Sequence, residues 1–255
     1  MMRILFFADT HLGYDYPIHP RIQRRRRGFD FFENYHQILQ TAMDEKVDAI
    51  IHGGDLFFRS KIPAPIIEKA YEPLLPVLES GIQVFVVPGN HERSRLPASP
   101  LFHHPNFHNF DRPRLFRLER NGIKLALGGF PNIRNHVNPS FEEVLASIEF
   151  KTDPEYKNIL CMHQSVEGAV VGVQNYRFPR GDDVIGRHQF PEHLDLILSG
   201  HIHRQQVLRS SHGTPIIYPG SIERTSFAER LETKGYTCIE FSDDGISWEF
   251  RPLNA

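Results

Sequence analysis

The sequence predicts a layered α/β fold. Three observations carry this reading. Short apolar runs of strand length recur along the 255 residues. Between the early runs lie segments with helical spacing of apolar residues. From Leu115 onward the runs follow one another with little helix between them. The order strand–helix–strand–helix–strand, then mostly strands, implies a parallel part followed by a more antiparallel C-terminal part.

The strand-like runs are 4–8, 49–51, 84–87, 124–127, 159–162, 194–198, 215–218, 236–241 and 247–250. Their β-branched and aromatic content and their length favour strands, several of them buried on both faces. In 29–46, Phe32, Tyr35, Leu39, Ala42 and Met43 share one face at helical spacing. The segment 65–80 is also helical in pattern, but Pro73 and Pro76 must kink or divide it. Ser140 and Glu143 have the spacing of a capping box, which predicts a helix over 140–150. Two long stretches, 91–113 and 164–191, lack clear periodicity, and loops of that length usually serve function or move.

Composition narrows the function classes. Apolar residues at 40% and charged residues at 24% fit a soluble globular protein. A net charge of −2 excludes a uniformly basic nucleic-acid binder, so any such surface must be local. Cys161 and Cys238 each sit in an apolar run, which predicts two reduced core thiols and no disulfide framework. The N-terminus runs directly into a strand, and no apolar run reaches 18 residues. The expectation is therefore one cytoplasmic domain over 1–255, with neither signal peptide nor membrane span.

Histidine is abundant, with 15 residues, and several follow strand-like runs directly. Asp9-Thr-His11 follows the first run, Gly53-Gly54-Asp55 the second and Gly89-Asn90-His91-Glu92 the third. His163 follows the run 159–162, and Gly200-His201-Ile202-His203 the run 194–198. Strand ends of an open α/β sheet converge on one rim, where ligand sites form. Asp-x-His and His-x-His place two donors on one short turn. Carboxylate, amide and imidazole without thiolate suit Mn²⁺, Fe²⁺, Zn²⁺ or Mg²⁺. Seven donors exceed what one ion needs and suit a pair about 3.5–4 Å apart. Each motif alone is weak, since a lone Asp-x-His is commonplace and Gly-Asn-His can be a plain turn. Their joint occurrence, always after a strand, is what points to a two-metal hydrolytic centre.

The series Asp9-x-His11, Gly-Gly-Asp55, Gly-Asn90-His91-Glu92, His163, Gly-His201-x-His203 resembles the calcineurin-like metallophosphoesterases, over nearly the whole chain. Ala8-Asp-Thr-His-Leu-Gly13 and Tyr218-Pro-Gly-Ser-Ile-Glu223, with Phe227-Ala-Glu229, resemble the SbcD-like DNA repair nuclease branch. This resemblance implies a four-layer α-β-β-α sandwich. It implies one metal on Asp9, His11 and His203, the other on Asn90, His163 and His201, and Asp55 bridging both. Mn²⁺ is the first expectation. His91 would stand beside the metals as the catalytic side chain, contacting the scissile phosphate or protonating the leaving oxygen. The expected reaction is phosphodiester hydrolysis by hydroxide generated between the ions. All eight positions hold the expected residue types, which argues against a catalytically dead scaffold.

The substrate reading rests on local charge. Arg21, Arg24, Arg25, Arg26 and Arg27 follow the first motif, Arg59 and Lys61 the second, Arg93 and Arg95 the third. Arginines at the rim would position a polyanion such as DNA over the metals. The plainer reading of the arginine run is a solvated loop before a helix. Tyr14, Tyr16 and Phe58 also lie near the motifs, where bases could stack, although core packing suits Phe58 better. His52, His103, His104 and His108 are read as non-ligands. The competing class is a phosphodiesterase or phosphatase for small nucleotides, which would share the metals. The branch resemblance also implies an SbcC-like ATPase partner, but the capping and ATPase-binding segment expected after the last strand is not seen.

Overall fold

The computed structural model describes residues 1–15, 29–150 and 153–255. Its first strand, β1 (Met2–Phe7), shows the logic of the whole. Ile4 and Phe6 point to one cluster of apolar side chains, Leu5 and Phe7 to another. A strand alternates its side chains between faces, so a strand apolar from Ile4 to Phe7 must be covered on both sides there.

Cover on one side comes from helices. In α1 (Asp30–Asp44), Phe32, Tyr35, Leu39 and Ala42 are buried as their spacing predicts, with Met43 packed at the margin. The segment 65–80 is two helices, α2 (Ala64–Tyr71) and α3 (Leu74–Glu79), divided at Glu72-Pro73. Pro73 lacks the N–H that would continue the first helix. All three helices pack on β1, β2 (Ala49–His52) and β3 (Gln83–Val86).

Among the described residues two six-stranded sheets lie face to face. The first runs β14-β13-β1-β2-β3-β4, with β4 Phe107–Asn109, β13 Gly235–Ser242 and β14 Gly245–Pro252. The second runs β11-β12-β10-β7-β6-β5, with β5 Arg114–Arg120, β6 Ile123–Gly129, β7 Tyr156–His163, β10 Leu196–Gly200, β11 Gln206–Arg209 and β12 Pro215–Tyr218. Helix α4 (Val137–Ile148) covers the outer face of the second sheet through Val137, Phe141 and Ile148. This is the four-layer sandwich.

Three expectations need correction. Antiparallel pairing is not confined to the C-terminal part: both sheets have parallel centres, β1–β4 and β6-β7-β10-β12, with antiparallel strands at their margins. Helix α4 starts at Val137, so Ser140 is no cap; its hydroxyl donates to the His136 carbonyl one turn back. The two long stretches carry structure, a 3₁₀ turn at Pro100–His103 with β4 in one and the small hairpin β8 (Val170–Val171) and β9 (Tyr176–Arg177) in the other. Strands of two or three residues are too short to leave a periodic signal.

Close approach of the sheets is concentrated at two glycines. A Cβ on Gly200 would lie 2.2 Å from the Gly53 carbonyl oxygen, and one on Gly53 would meet Phe6 at 2.9 Å and Ala8 at 3.1 Å. The clash on Gly200 is with backbone, which cannot swing aside. Gly200→Ala should therefore lower stability by about 1–3 kcal/mol or more, by overpacking. Thermal and urea denaturation measure it; an unchanged midpoint would show that the sheets have room to part.

Candidate metal centre

Every predicted ligand sits just past the C-terminal end of a parallel strand. Asp9 and His11 follow β1, Asp55 follows β2, Asn90 and His91 follow β3, His163 ends β7, and His201 and His203 follow β10. Because the two sheets face each other, these ends meet at one rim. The structure brings all seven predicted ligands and His91 together there.

The donor atoms converge in two overlapping groups. The Nε2 atoms of His11 and His203 are 3.0 Å apart, and Asp9 Oδ1 is 4.0 Å from His203 Nε2. Asn90 Oδ1 lies 3.1 Å from His163 Nε2 and 2.9 Å from His201 Nδ1. Asp55 stands between the groups, its Oδ2 3.4 Å from His163 Nε2 and 4.0 Å from His11 Nε2. His91 Nε2 is 3.8 Å from the same oxygen, while its Nδ1 donates to the Phe58 carbonyl at 2.5 Å. Asp9-His11-His203, His11-Asp55-His91 and Asp9-Asp55-His163 are each close enough to share an ion.

The backbone is held in strain to achieve this. Asp9, His11, Asp55 and His201 all have positive φ, at 52°, 44°, 55° and 83°. Such conformations cost residues with a Cβ of order 1–3 kcal/mol each and persist where neighbours over-determine them. Here the turn after β1 is zipped to the turn after β2. Asp9 N–H donates to Gly54, His11 N–H to Asp55 and Leu12 N–H to Leu56, at 2.9, 3.0 and 2.9 Å. Two glycines leave the space that the donors fill. A Cβ on Gly54, itself at φ +106°, would lie 2.2 Å from His163 Nδ1, and one on Gly89 would lie 2.1 Å from Asp55 Oδ1.

Electrostatics at the rim are polarised. Burial pushes Asp9 up to about 6 despite the nearby His163 and His203. Burial acts the same way on Asp55, yet His163 outweighs it by charge and hydrogen bond and holds that carboxyl below the usual range. Burial opposes protonation of His163, but Asp55 and Asp9 raise it to about 9. His201 falls to about 3, through burial and the charge on His163, and His11 falls well below its ordinary value through burial and His203. The neutral imidazole is the form that binds metal. The buried Nδ1 of His11 has no hydrogen-bond partner, while its Nε2 faces the cluster. Oxygen and imidazole donors around two buried carboxylates fit divalent cations.

Groups outside the predicted set support the rim. Buried Glu92 accepts from Phe57 N–H at 2.6 Å and Gly89 N–H at 2.9 Å, joining the second and third motifs. Burial and the nearby Asp55 push it up to about 8, while the two N–H bonds act in the opposite direction. Asn132 donates to the His163 carbonyl at 2.7 Å. Glu92 lay inside a recognised motif; Asn132 had no signal in the sequence. His203 is backed by Glu229, 3.1 Å from its Nδ1.

The substrate residues divide. Arg24, Arg25, Arg26 and Arg27, with Arg21 and Tyr16, lie outside the described residues. Arg93 is exposed and lines a cleft of about 420 Å³ with Asn90, His91, Arg134, Phe178 and His201. Arg59 lies over the Phe58 ring, its Cζ 5.8 Å from the centroid. Tyr14 packs edge-on against Phe58 and bonds the Thr225 carbonyl through its hydroxyl, so it is a packing residue more than an open platform. Phe58 is half-buried beside His11 and His91. His52 is buried between Thr10 and Gly54 N–H, and His108 stacks on Phe85. Neither they nor His103 and His104 belong to the described groups that could share an ion.

Fold and site together define a metal-dependent phosphoesterase. The chain belongs to the calcineurin-like phosphoesterase family, whose model matches residues 2–205. Among curated relatives it is 25% identical to the DNA double-strand break repair protein Mre11 of Methanopyrus kandleri, over 98% of this chain and 56% of that one. It is 28% identical to the protein of the same name from Methanosarcina acetivorans, over 99% of this chain and 39% of that one. The chain thus spans about half the length, or less, of these relatives. Solved structures of the same fold include TT1561 of Thermus thermophilus, with TM-score 0.60, 15% identity and 98% of each chain covered. A dimetal phosphatase from Danio rerio has TM-score 0.58, 11% identity and coverage of 98% and 96%. Among the described residues no helix is long and apolar enough to cross a membrane.

Glu92→Ala would leave two buried N–H groups without acceptors, at about 1–3 kcal/mol each. A lower unfolding midpoint, and weaker metal binding because both motif turns loosen, are expected. Calorimetry reads both, and a variant as stable as wild type would remove Glu92 from the frame of the site.

Proposed function

We propose that the protein is a two-metal phosphodiesterase whose substrate is DNA, cut at single strands or ends, with Mn²⁺ as the working ion. The observation that carries this is the convergence of six donor side chains around a seventh, Asp55, with His91 beside them at an open cleft bearing Arg93. Asp9, His11 and His203 would hold one ion and Asn90, His163 and His201 the other, with Asp55 shared. Two such ions supply a hydroxide nucleophile near neutral pH and offset the charge on the phosphate. The names of the curated relatives, and the motifs shared with the SbcD-like branch, support DNA over a small nucleotide. Association with an SbcC-like ATPase belongs to the same proposal.

The chain's own residues do the rest. His91 donates one ring N–H to the Phe58 carbonyl, which leaves Nε2 directed at the space beside Asp55. From there it can hold a proton for the leaving oxygen. Its main-chain N–H donates to Asp55 Oδ1 at 2.9 Å, so its position is tied to the shared carboxylate. Arg93 is placed to hold a flanking phosphate.

His91→Ala should retain two ions and lose about 10²–10⁴ in turnover, measured by metal analysis and cleavage of a chromogenic phosphodiester. Loss of an ion would make His91 a ligand instead. Arg93→Ala should weaken DNA binding and lower the slope of log affinity against log salt by about 1. Labelled single- and double-stranded DNA, assayed beside cyclic nucleotides and a phosphomonoester with Mn²⁺, tests the substrate; turnover of the small molecules alone would refute the nuclease reading. Because His163 holds its proton up to about 9 in the ion-free protein, ion binding must displace it. Below that pH the proton is present and competes, so affinity should fall about tenfold per unit of acidification. Titration calorimetry in two buffers of different ionisation heat counts the proton released.

A further inference from the structure

The segment after β12 closes over His203 from behind. Glu229 Oε1 is 3.1 Å from His203 Nδ1 and accepts from the Thr225 hydroxyl at 2.7 Å. Its other oxygen is 2.7 Å from the ammonium of Lys234, a side chain only 1% exposed. Lys234 also donates to the main-chain carbonyl of His203 at 2.9 Å and pairs with Glu232 at 3.0 Å. His203 is therefore gripped at its ring and at its backbone by one buried ion pair. A lysine so deeply buried persists only when paired.

Three other rim histidines differ. His163 Nδ1 donates to the Gly53 carbonyl at 2.7 Å and His91 Nδ1 to the Phe58 carbonyl, both neutral oxygens. His11 Nδ1 has no hydrogen-bond partner. Only the His203 ring, among these, is backed by a carboxylate. A carboxylate on the remote nitrogen fixes which ring nitrogen carries the proton, turns the other toward the ion and makes it a stronger donor.

We infer that Glu229, itself held by Lys234, is a positioning residue for the ion bound through His203, and that the two ion sites are consequently unequal, the one containing His203 being the tighter. This rests on the two-ion reading above. Glu229 touches neither phosphate nor ion; it acts through the imidazole. The alternative is that Glu229 merely anchors its own segment to the core.

Titration of the metal-free protein with Mn²⁺ by calorimetry separates these. Wild type should bind two ions in two distinguishable steps. Glu229→Gln should weaken the tighter step by about 10- to 100-fold and leave the second within twofold. Glu232→Gln is the control, because Glu232 meets Lys234 and Arg204 but not the histidine; it should leave both steps unchanged. Equal weakening of both steps by Glu229→Gln, or the same loss in Glu232→Gln, would show a loosened segment and overturn the inference, as would an unchanged Glu229→Gln. A wild type binding fewer than two ions would overturn the two-ion reading itself, and with it this one.

Discussion

The rim depends on how near the two sheets can come at Gly53 and Gly200. With hydrogen in place of a side chain at both, the end of β10 lies against the turn after β2. The same approach lets His163, at the end of the second sheet, donate to the Gly53 carbonyl of the first. Without it, donors from β1–β3 and donors from β7 and β10 would sit on separate surfaces. The two carboxylates are thus buried with His11 and His163, while His91 and His203 remain partly open to solvent. Burial presses His201 and His11 toward the neutral form, while the carboxylates of Asp55 and Asp9 raise His163 against the same burial.

Much of this was legible in the chain itself. The motifs stood out because each sets donor residues directly after a strand-length apolar run, and at Gly53, Gly54, Gly89 and Gly200 the close approach leaves no room for a side chain. Strands buried on both faces were also visible, since β1, β2 and β7 carry nearly unbroken apolar runs. What escaped was set by contacts between distant segments. Glu229 stands in the Phe227-Ala-Glu229 motif, but its contact with His203 spans 26 residues, and nothing local names that partner. Asn132 meets the His163 carbonyl across 31. The mixed ordering of the second sheet was likewise hidden, because periodicity reports burial and not the direction of a neighbouring strand. The start of α4 was misplaced by a capping spacing that the structure uses inside the helix.

Strain and support are unevenly distributed around the rim. Asp9, His11 and Asp55 are held at positive φ by a main-chain zipper between two adjacent turns. His203 relies on side chains from a third segment. The first arrangement rests on main-chain bonds and on the absence of a side chain at Gly54. The second is tolerant of neither charge loss nor displacement of the 3₁₀ turn at Phe227–Glu229.

The position of β13 has a consequence for biosynthesis. It pairs with β1 from Met2 against Phe241 to Phe6 against Thr237. A nascent chain that has already made β1, β2 and β3 therefore carries an apolar strand with one edge open until more than two hundred residues later. Such an edge is a template for wrong pairing, and closure across so long a separation is slow. Asp9 and His11 leave that strand directly, so two donors of the centre stand next to this open edge until β13 pairs with it.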